Sequence, residues 1–153
     1  MTVWRIHRAA YGVGLDGTGG RVASGRWSVR GAPIVYTAGT AALAVLERLV
    51  NTDPDLLPPD LVLTRIEIPE DIRVGEARAR VKLPQRWNSM RHLWLTRQAG
   101  MSWLSSLSSA VLQVPSAIVS EESNFLLNPL HPEHPRIRAR KSRAFRFDWR
   151  LFI

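Results

Sequence analysis

Alternating apolar and polar residues predict several short strands along the chain. In residues 2–8 (TVWRIHR), Val3, Arg5 and His7 point to one face and Trp4 and Ile6 to the other, as expected for a strand with one polar face. The same reasoning predicts further strands at residues 34–37, 61–68, 110–119 (interrupted by Pro115), 125–127 and 145–149.

Two segments instead show helical spacing. A helix from about Thr40 places Leu43, Leu46, Leu49 and Val50 on one core-facing stripe, and Glu47 falls inside that stripe. A second helix is expected over roughly residues 90–107. An inward carboxylate is unfavourable unless it is paired, hydrogen-bonded or beside a cleft, so we interpret Glu47 as a candidate site residue.

The order of these elements predicts the fold class. Strands outnumber helices and do not alternate with them strictly, which favours an α+β fold with a mixed, mostly antiparallel sheet and flanking helices. At 153 residues the chain fits a single domain over residues 1–153.

A glycine-rich segment at residues 11–25 is expected to be a loop, with Arg21, Arg26 and Arg30 in it or just after it. Glycine lets the backbone approach a ligand, and arginine offers paired donors to phosphate or carboxylate. Neither GxGxxG nor GxxxxGK[ST] occurs, so this is not a standard nucleotide-binding loop.

The charge and composition of the chain limit the kinds of partner and location that we expect for it. The formal charge of +8 predicts attraction to an anionic partner, and much of the excess lies in residues 136–146 (RIRARKSRAFR). We interpret this run as the solvated face of a strand; a nucleic-acid patch or a docking site for an acidic protein are the alternatives. The chain has no cysteine and no run of eighteen apolar residues, so we expect no membrane span, no signal peptide and a cytoplasmic location.

Two kinds of active site are disfavoured. The four histidines form no HExxH pair, and HPEHP at residues 131–135 has the character of a surface turn, so no metal is expected. No GxSxG motif surrounds Ser116 or another serine. A site built from arginine, tyrosine, glutamate and serine suits holding a phosphorylated ligand and stabilising a developing cation on a sugar, which is N-glycosidic chemistry.

Four stretches, in this order, carry a more specific signal: WRIHR at residues 4–8, SGRWSVRGAPIVYTAGTAALAVLE at 24–47, VLQVPSAIVSEESNFLLNPLHP at 111–132 and FRFDWRL at 145–151. Together they span nearly the whole chain. They resemble the RES-domain toxins of bacterial toxin–antitoxin pairs, a family named for an arginine, a glutamate and a serine.

This resemblance implies a compact fold related to ADP-ribosyltransferases and a toxin that consumes NAD+ as its substrate. Cleavage of the nicotinamide–ribose bond would occur by hydrolysis or phosphorolysis, without a metal; the alternative is transfer of ADP-ribose to a protein target. The resemblance also implies a cognate antitoxin, usually with an Xre-type helix-turn-helix domain, and hence a hetero-oligomer. It implies neither direct nucleic-acid contact nor membrane association, so a basic nucleic-acid-binding module is the weaker alternative.

By position, Arg5, Glu47 and Ser116 correspond to the three naming residues, and Arg26 fits the arginine as well. The resemblance implies that Arg5 and Arg26 bind the pyrophosphate or a ribose hydroxyl. It implies that Glu47 binds the ribose hydroxyls and stabilises the oxocarbenium-like transition state. Ser116 would orient the nicotinamide or Glu47. Nicotinamide leaves a pyridinium as a neutral molecule, so one carboxylate can suffice.

Two further residues complete the predicted site. Tyr36 is expected to stack on nicotinamide, and Asn124 to support the ligand or the residues that bind it. Structural alternatives remain open at this stage: Arg5 and Glu47 could form an ion pair, Tyr36 could be a core aromatic with its hydroxyl satisfied, and Ser116 could be a bulge residue.

Overall fold

A seven-stranded sheet forms the centre of the computed structural model, which describes residues 1–153. The strand order is β4-β5-β6-β2-β1-β3-β7, and every neighbouring pair is antiparallel except β4 and β5, which are parallel. The predicted α+β class with a mixed, mostly antiparallel sheet is therefore confirmed. The strands are β1 (Thr2–Arg8), β2 (Val35–Ala38), β3 (Leu61–Glu67), β4 (Val74–Glu76), β5 (Val111–Pro115), β6 (Ser123–Leu127) and β7 (Arg138–Ala144).

Four α-helices and five short 3-10 turns accompany the sheet. The helices are α1 (Thr18–Val22), α2 (Ala41–Leu49), α3 (Ala77–Arg80) and α4 (Leu93–Ser106). The 3-10 turns are Ala9–Tyr11, Pro54–Leu56, Met90–His92, His134–Arg136 and Trp149–Phe152. α2 begins where the sequence predicts, because the Thr40 side chain accepts a hydrogen bond from the backbone N–H of Leu43 at 3.1 Å. None of the helices has the length and apolar character needed to cross a membrane.

The sheet buries side chains on both faces. On the first face, Val3, Val35, Ile66, Val111 and Leu127 form one core cluster. The second face carries α2 over β1 and β2 and α4 over β5 and β6, with two further clusters beneath them. Because neighbouring residues of a strand point to opposite faces, Arg5 shares the first face with Val3, whereas Trp4 and Ile6 lie on the face that α2 covers.

The contact between β1 and β2 is unusually short. β1 pairs with β3 along seven residue pairs but with β2 only at Trp4 and Ala38. Beyond that pair, from Arg5 onward, β1 and β2 are no longer hydrogen-bonded neighbours. The sheet therefore opens between its two central strands, close to the predicted site residues.

Several local predictions were wrong. The predicted strand at residues 145–149 does not form; the last strand is β7, at the edge of the sheet, which confirms the interpretation of the basic run as the solvated face of a strand. Phe145, Phe147 and Phe152 instead stack edge to face outside the sheet. An alternation of aromatic residues fits this edge-to-face packing as well as it fits a strand, which explains the wrong prediction. The predicted loop at residues 11–25 contains α1, whose glycines hide its helical character in the sequence.

Exposure also corrects the predicted core. Val50, placed on the buried stripe of α2, lies just beyond the helix and is exposed. His134 is not a free surface residue: its Nε2 lies 2.8 Å from the backbone oxygen of Leu15, and burial lowers its pKa from the ordinary value.

Candidate active site

Glu47 lies at the centre of a hydrogen-bonded cluster of three polar side chains. Its Oε1 accepts hydrogen bonds from the Ser116 hydroxyl at 2.9 Å and from Nδ2 of Asn124 at 2.5 Å. These partners come from α2, the segment after β5, and β6, so residues 69 and 77 positions apart meet only in the folded chain. Both donors are neutral, and no ion pair forms between Glu47 and a basic residue.

Sheet register explains the place of Asn124. Asn124 on β6 lies opposite Ala38 on β2 and Val114 on β5, so all three share the face covered by α2 and α4. Tyr36 lies two residues before Ala38 on the same face and pairs with Leu126. The strands therefore bring Asn124 and Tyr36 to adjacent rows, beside the helix that carries Glu47.

The Ser116 hydroxyl is fixed in one orientation. Its oxygen accepts hydrogen bonds from the backbone N–H groups of Ile118 and Val119, both at 3.1 Å, while its proton goes to Glu47. A serine hydroxyl has one proton and two lone pairs, so every hydrogen-bonding position of this buried side chain is occupied. Ser116 is therefore built to hold Glu47 and the turn that follows β5.

Arg26 lies on the segment between α1 and β2, which α4 holds in place. The backbone oxygens of Gly25 and Arg26 accept hydrogen bonds from Nε of Arg97 at 2.9 Å and from the Thr96 hydroxyl at 2.6 Å. A side chain at Gly100 would overlap the carbonyl oxygen of Trp27, so only glycine permits this approach of α4.

The Arg26 side chain combines an aromatic contact with an unsatisfied donor. Its guanidinium carbon lies 5.9 Å from the centre of the Trp87 ring, within cation–π range. Nη1 of Arg26 is buried and has no hydrogen-bond partner. Next to Trp87, the Asn88 side chain donates to the backbone oxygen of Ala117 at 3.2 Å, so the same segment contacts both Arg26 and the Ser116 turn.

Tyr36 supports the Arg26 segment through its hydroxyl. That hydroxyl accepts a hydrogen bond from the backbone N–H of Trp27 at 3.0 Å and shares one with the Ser28 hydroxyl at 2.8 Å. Burial raises the pKa of Tyr36 above its ordinary value. A Cβ at Gly25 would overlap the hydroxyl, so this glycine makes room for it. The hydroxyl is thus satisfied within the protein, while the residue as a whole stays partly exposed.

Arg5 occupies a separate part of the site, on the other face of β1 from Trp4. Its Nη1 is buried without a partner, and no ion pair joins Arg5 to Glu47, so the structural pairing left open by the sequence is not formed. Burial lowers the pKa of Arg5 to about 10; the charge of Asp16 opposes this shift and that of Arg48 adds to it.

Residues 78–92 lie outside the four stretches that resemble the family, yet they contribute two side chains that sequence reasoning missed. Trp87 and Asn88 lie within residues 78–92, where no periodicity marks them. Arg48 was also missed, because next to Glu47 it has the position of a solvated helix residue. Clusters of three or more His, Cys, Asp or Glu side chains suited to a metal ion do not occur in the structure.

A family model described as "RES domain" matches residues 2–150. The chain belongs to the RES domain family.

Named relatives agree with this family. The chain is 38% identical over 138 residues to a "Prs ADP-ribosylating toxin" of Sphingobium sp. (strain YBL2), covering 90% of this chain and 86% of the relative. It is 40% identical over 135 residues to a "Toxin Res" of Pseudomonas putida (87% and 88% covered) and 38% identical over 154 residues to a "Toxin Res" of Photorhabdus laumondii (99% and 97% covered).

A solved structure supports the RES-type fold. A chain in the crystal structure of the M. tuberculosis MbcT–MbcA toxin–antitoxin complex matches with a TM-score of 0.65, covering 94% of this chain and 83% of that one. At 19% sequence identity this likeness shows the fold alone.

Proposed function

We propose that this chain is the toxin of a bacterial toxin–antitoxin system and that it cleaves the nicotinamide–ribose bond of NAD+. The observation that carries the proposal is the Glu47 carboxylate, held through one oxygen by the two neutral donors Ser116 and Asn124. Since no cation neutralises it, its charge is available to a ribose that becomes cationic as nicotinamide leaves. Preorganised hydrogen bonds keep the carboxylate in place for that step.

The remaining site residues take roles that match their contacts. Arg26 and Arg5 each have a buried nitrogen without an acceptor, which suits a pyrophosphate or a ribose hydroxyl. Ser116 and Asn124 position Glu47. Tyr36 holds the Arg26 segment through its hydroxyl and offers its partly exposed ring to nicotinamide. Either water or phosphate would then attack the ribose.

The proposed partner is a cognate antitoxin with an Xre-type helix-turn-helix domain, in a hetero-oligomer located in the cytoplasm. Support comes from the fold match to a chain of a toxin–antitoxin complex and from the names of the relatives. A net charge of +8 would favour an antitoxin with an acidic docking surface.

A second function has support of its own. One relative at 38% identity is named an ADP-ribosylating toxin, so the acceptor of ADP-ribose could be a protein. The same carboxylate would serve, because both reactions break the same bond before the acceptor attacks. The two functions differ in the molecule that accepts ADP-ribose: water or phosphate in the first, a protein in the second.

The deciding experiment measures nicotinamide release from NAD+ by the purified chain, with and without phosphate and with and without cell extract. We expect release by the wild type and a fall of about 100-fold or more in Glu47→Gln, because the transition-state charge loses its counter-charge. Glu121→Gln, which changes an exposed carboxylate on the segment between β5 and β6, is the matched control.

The products then assign the acceptor. Free ADP-ribose indicates water, a phosphorylated ADP-ribose indicates phosphate, and labelled protein in the extract indicates the second function. Absence of nicotinamide release under every condition, from a folded wild-type chain, would refute the proposal.

A further inference from the structure

The segment between α3 and α4 crosses the candidate site, and its second part, residues 84–92, is held together by its own hydrogen bonds. Three backbone N–H groups in this part donate to backbone oxygens three residues earlier, at 3.0–3.2 Å. Nδ1 of His92 also lies 2.9 Å from the backbone oxygen of Arg86. These local bonds fix the shape of the 84–92 segment although it contains neither an α-helix nor a strand.

Trp87 connects this segment to one side of the site. The centre of its ring lies 5.9 Å from the guanidinium carbon of Arg26 and 5.9 Å from the ring centre of the buried Trp27. Both distances are within the range of favourable aromatic contacts. Arg26 forms no ion pair, and its buried Nη1 has no hydrogen-bond partner. The ring of Trp87 is therefore the contact that orients the guanidinium group.

Asn88, the next residue, connects the segment to the opposite side of the site. Its Nδ2 donates a hydrogen bond to the backbone oxygen of Ala117 at 3.2 Å. Ala117 directly follows Ser116, whose hydroxyl donates to Glu47 at 2.9 Å. Two adjacent residues thus contact the arginine that is proposed to bind the ligand and the turn that holds the carboxylate.

We propose that Trp87 and Asn88 are positioning residues for the reaction. Trp87 holds the Arg26 side chain in the orientation that receives the ligand, and Asn88 holds the turn after Ser116 where Glu47 requires it. The inference rests on the proposed function for the identity of the ligand and of the reaction. It goes beyond that function because it assigns work to a segment outside the stretches that resemble the family.

The two residues should affect different kinetic constants. An unoriented arginine must be ordered when the ligand binds, so loss of the Trp87 contact should raise the KM for NAD+. A displaced carboxylate lowers the rate of bond cleavage in the bound complex, so loss of the Asn88 hydrogen bond should lower kcat. A role in packing alone would produce no such division between neighbouring residues.

The first test measures kcat and KM for nicotinamide release in Trp87→Leu, Arg26→Gln and the double variant. We expect Trp87→Leu to raise KM about 5-fold with little change in kcat, and Trp87→Phe to restore most of the affinity because it keeps an aromatic face. In the Arg26→Gln protein, Trp87→Leu should raise KM no further, since its effect acts through Arg26. Trp94→Leu, at an exposed tryptophan of α4, is the matched control.

The second test examines Asn88→Asp, which keeps the size of the side chain but cannot donate to the backbone oxygen of Ala117. We expect kcat to fall about 5-fold and KM to change by less than about 2-fold, as for the loss of one hydrogen bond that positions a catalytic group. Gln85→Glu makes the same chemical change at an exposed position of the 84–92 segment and is the matched control.

An NMR measurement checks the Trp87 contact without relying on activity. The ring current of a tryptophan shifts the signals of protons held over its face, so Trp87→Leu should move the Arg26 side-chain signals toward their values in an unfolded chain, whereas Trp94→Leu should not. Unmoved Arg26 signals, or an equal rise in KM with and without Arg26, would overturn the role of Trp87. An unchanged kcat in Asn88→Asp would overturn the role of Asn88.

Failure of this inference can be told apart from failure of the proposed function. If the wild type releases nicotinamide and Glu47→Gln does not, while the Trp87 and Asn88 variants match the wild type in kcat and KM, the positioning roles fall and the proposed function stands. If the folded wild type releases no nicotinamide, the proposed function falls and both positioning roles fall with it, whatever the NMR signals show of the contact.

Discussion

The two halves of the candidate site differ in how their polar groups are satisfied. Around Glu47, the Ser116 hydroxyl uses its proton and both lone pairs, and Asn124 adds a second donor. Around the arginines, Arg5, Arg26 and Arg48 each bury a nitrogen without an acceptor. Native proteins leave few such groups, because each destabilises the folded state.

This contrast separates what the protein completes from what it leaves to a ligand. The carboxylate side is preorganised and lacks a partner only at Oδ1 of Asn124, which suits a group that acts on a transition state. The cationic side is incomplete, which suits a group that binds an anion. Mutations on the first side should therefore reduce both stability and activity, whereas mutations on the second should reduce activity alone.

Of the substitutions that test this contrast, Ser116→Ala should change stability and activity the most. It removes a donor from Glu47 and leaves the buried N–H groups of Ile118 and Val119 without an acceptor, so the free energy of unfolding should fall by about 1–3 kcal/mol. Nicotinamide release should fall about 10-fold or more as Glu47 loses its orientation. Denaturant unfolding and initial rates measure the two effects, with exposed Ser120→Ala as the control. An unchanged free energy of unfolding would show that the hydrogen bonds of Ser116 do not stabilise the fold.

Arg26→Gln should show the opposite pattern. Its buried Nη1 has no partner in the protein, so the free energy of unfolding should change by less than about 1 kcal/mol, the residual being the lost cation–π contact with Trp87. The rate at low NAD+ should fall about 10-fold, as expected for one charge-assisted contact. Arg30→Gln, exposed on the same segment, is the control. If Arg26→Gln destabilised the protein as much as Ser116→Ala does, the proposed difference between the two halves of the site would be wrong.

The smallest effect is expected from pH, acting through His7. Burial lowers the pKa of His7 below 6.5; its hydrogen bond to the Arg8 carbonyl opposes the shift, and the charges of Arg5 and Arg48 add to it. The unfolded chain thus binds more protons near this pH, so the contribution of His7 to stability is present above pH 6.5 and is lost as the pH falls from that value through the lower pKa of the folded state.

Unfolding free energies between pH 5 and pH 8 test this prediction, because His7→Gln should flatten the dependence whereas His92→Gln should not. Arg48→Gln should also raise the pKa of His7 in an NMR titration, since it removes one of the nearby positive charges. An unchanged pKa of His7 in Arg48→Gln would show that the positive charge of Arg48 does not influence this histidine.

Local pattern predicted much of the fold and part of the site. The alternation in β1, the start of a helix at about Thr40 and the inward position of Glu47 are all local features, and the structure agrees with each. The interpretation of the basic run as the solvated face of a strand is confirmed by β7, whereas the strand predicted at residues 145–149 was wrong, because alternating aromatic residues imitate a strand.

Tertiary structure decided which polar residues meet. Trp87 and Asn88 contact Arg26 and the Ser116 turn although their segment has no periodicity, and Arg48 is half-buried although it follows Glu47 as an ordinary helix residue would. Such contacts depend on how segments far apart in sequence pack together. A pattern within ten or twenty residues carries no information about them.

The sequence by itself determined most of the strands, the helix from about Thr40, the α+β class and the presence of an inward-facing glutamate, because these follow from the spacing of side chains along a single segment. Only the tertiary structure decided that Ser116 and Asn124 hold Glu47 through one oxygen, and that Arg5, Arg26 and Arg48 remain without acceptors. The reason is physical: hydrogen bonds and burial depend on distances between segments, which exist only once the sheet has formed.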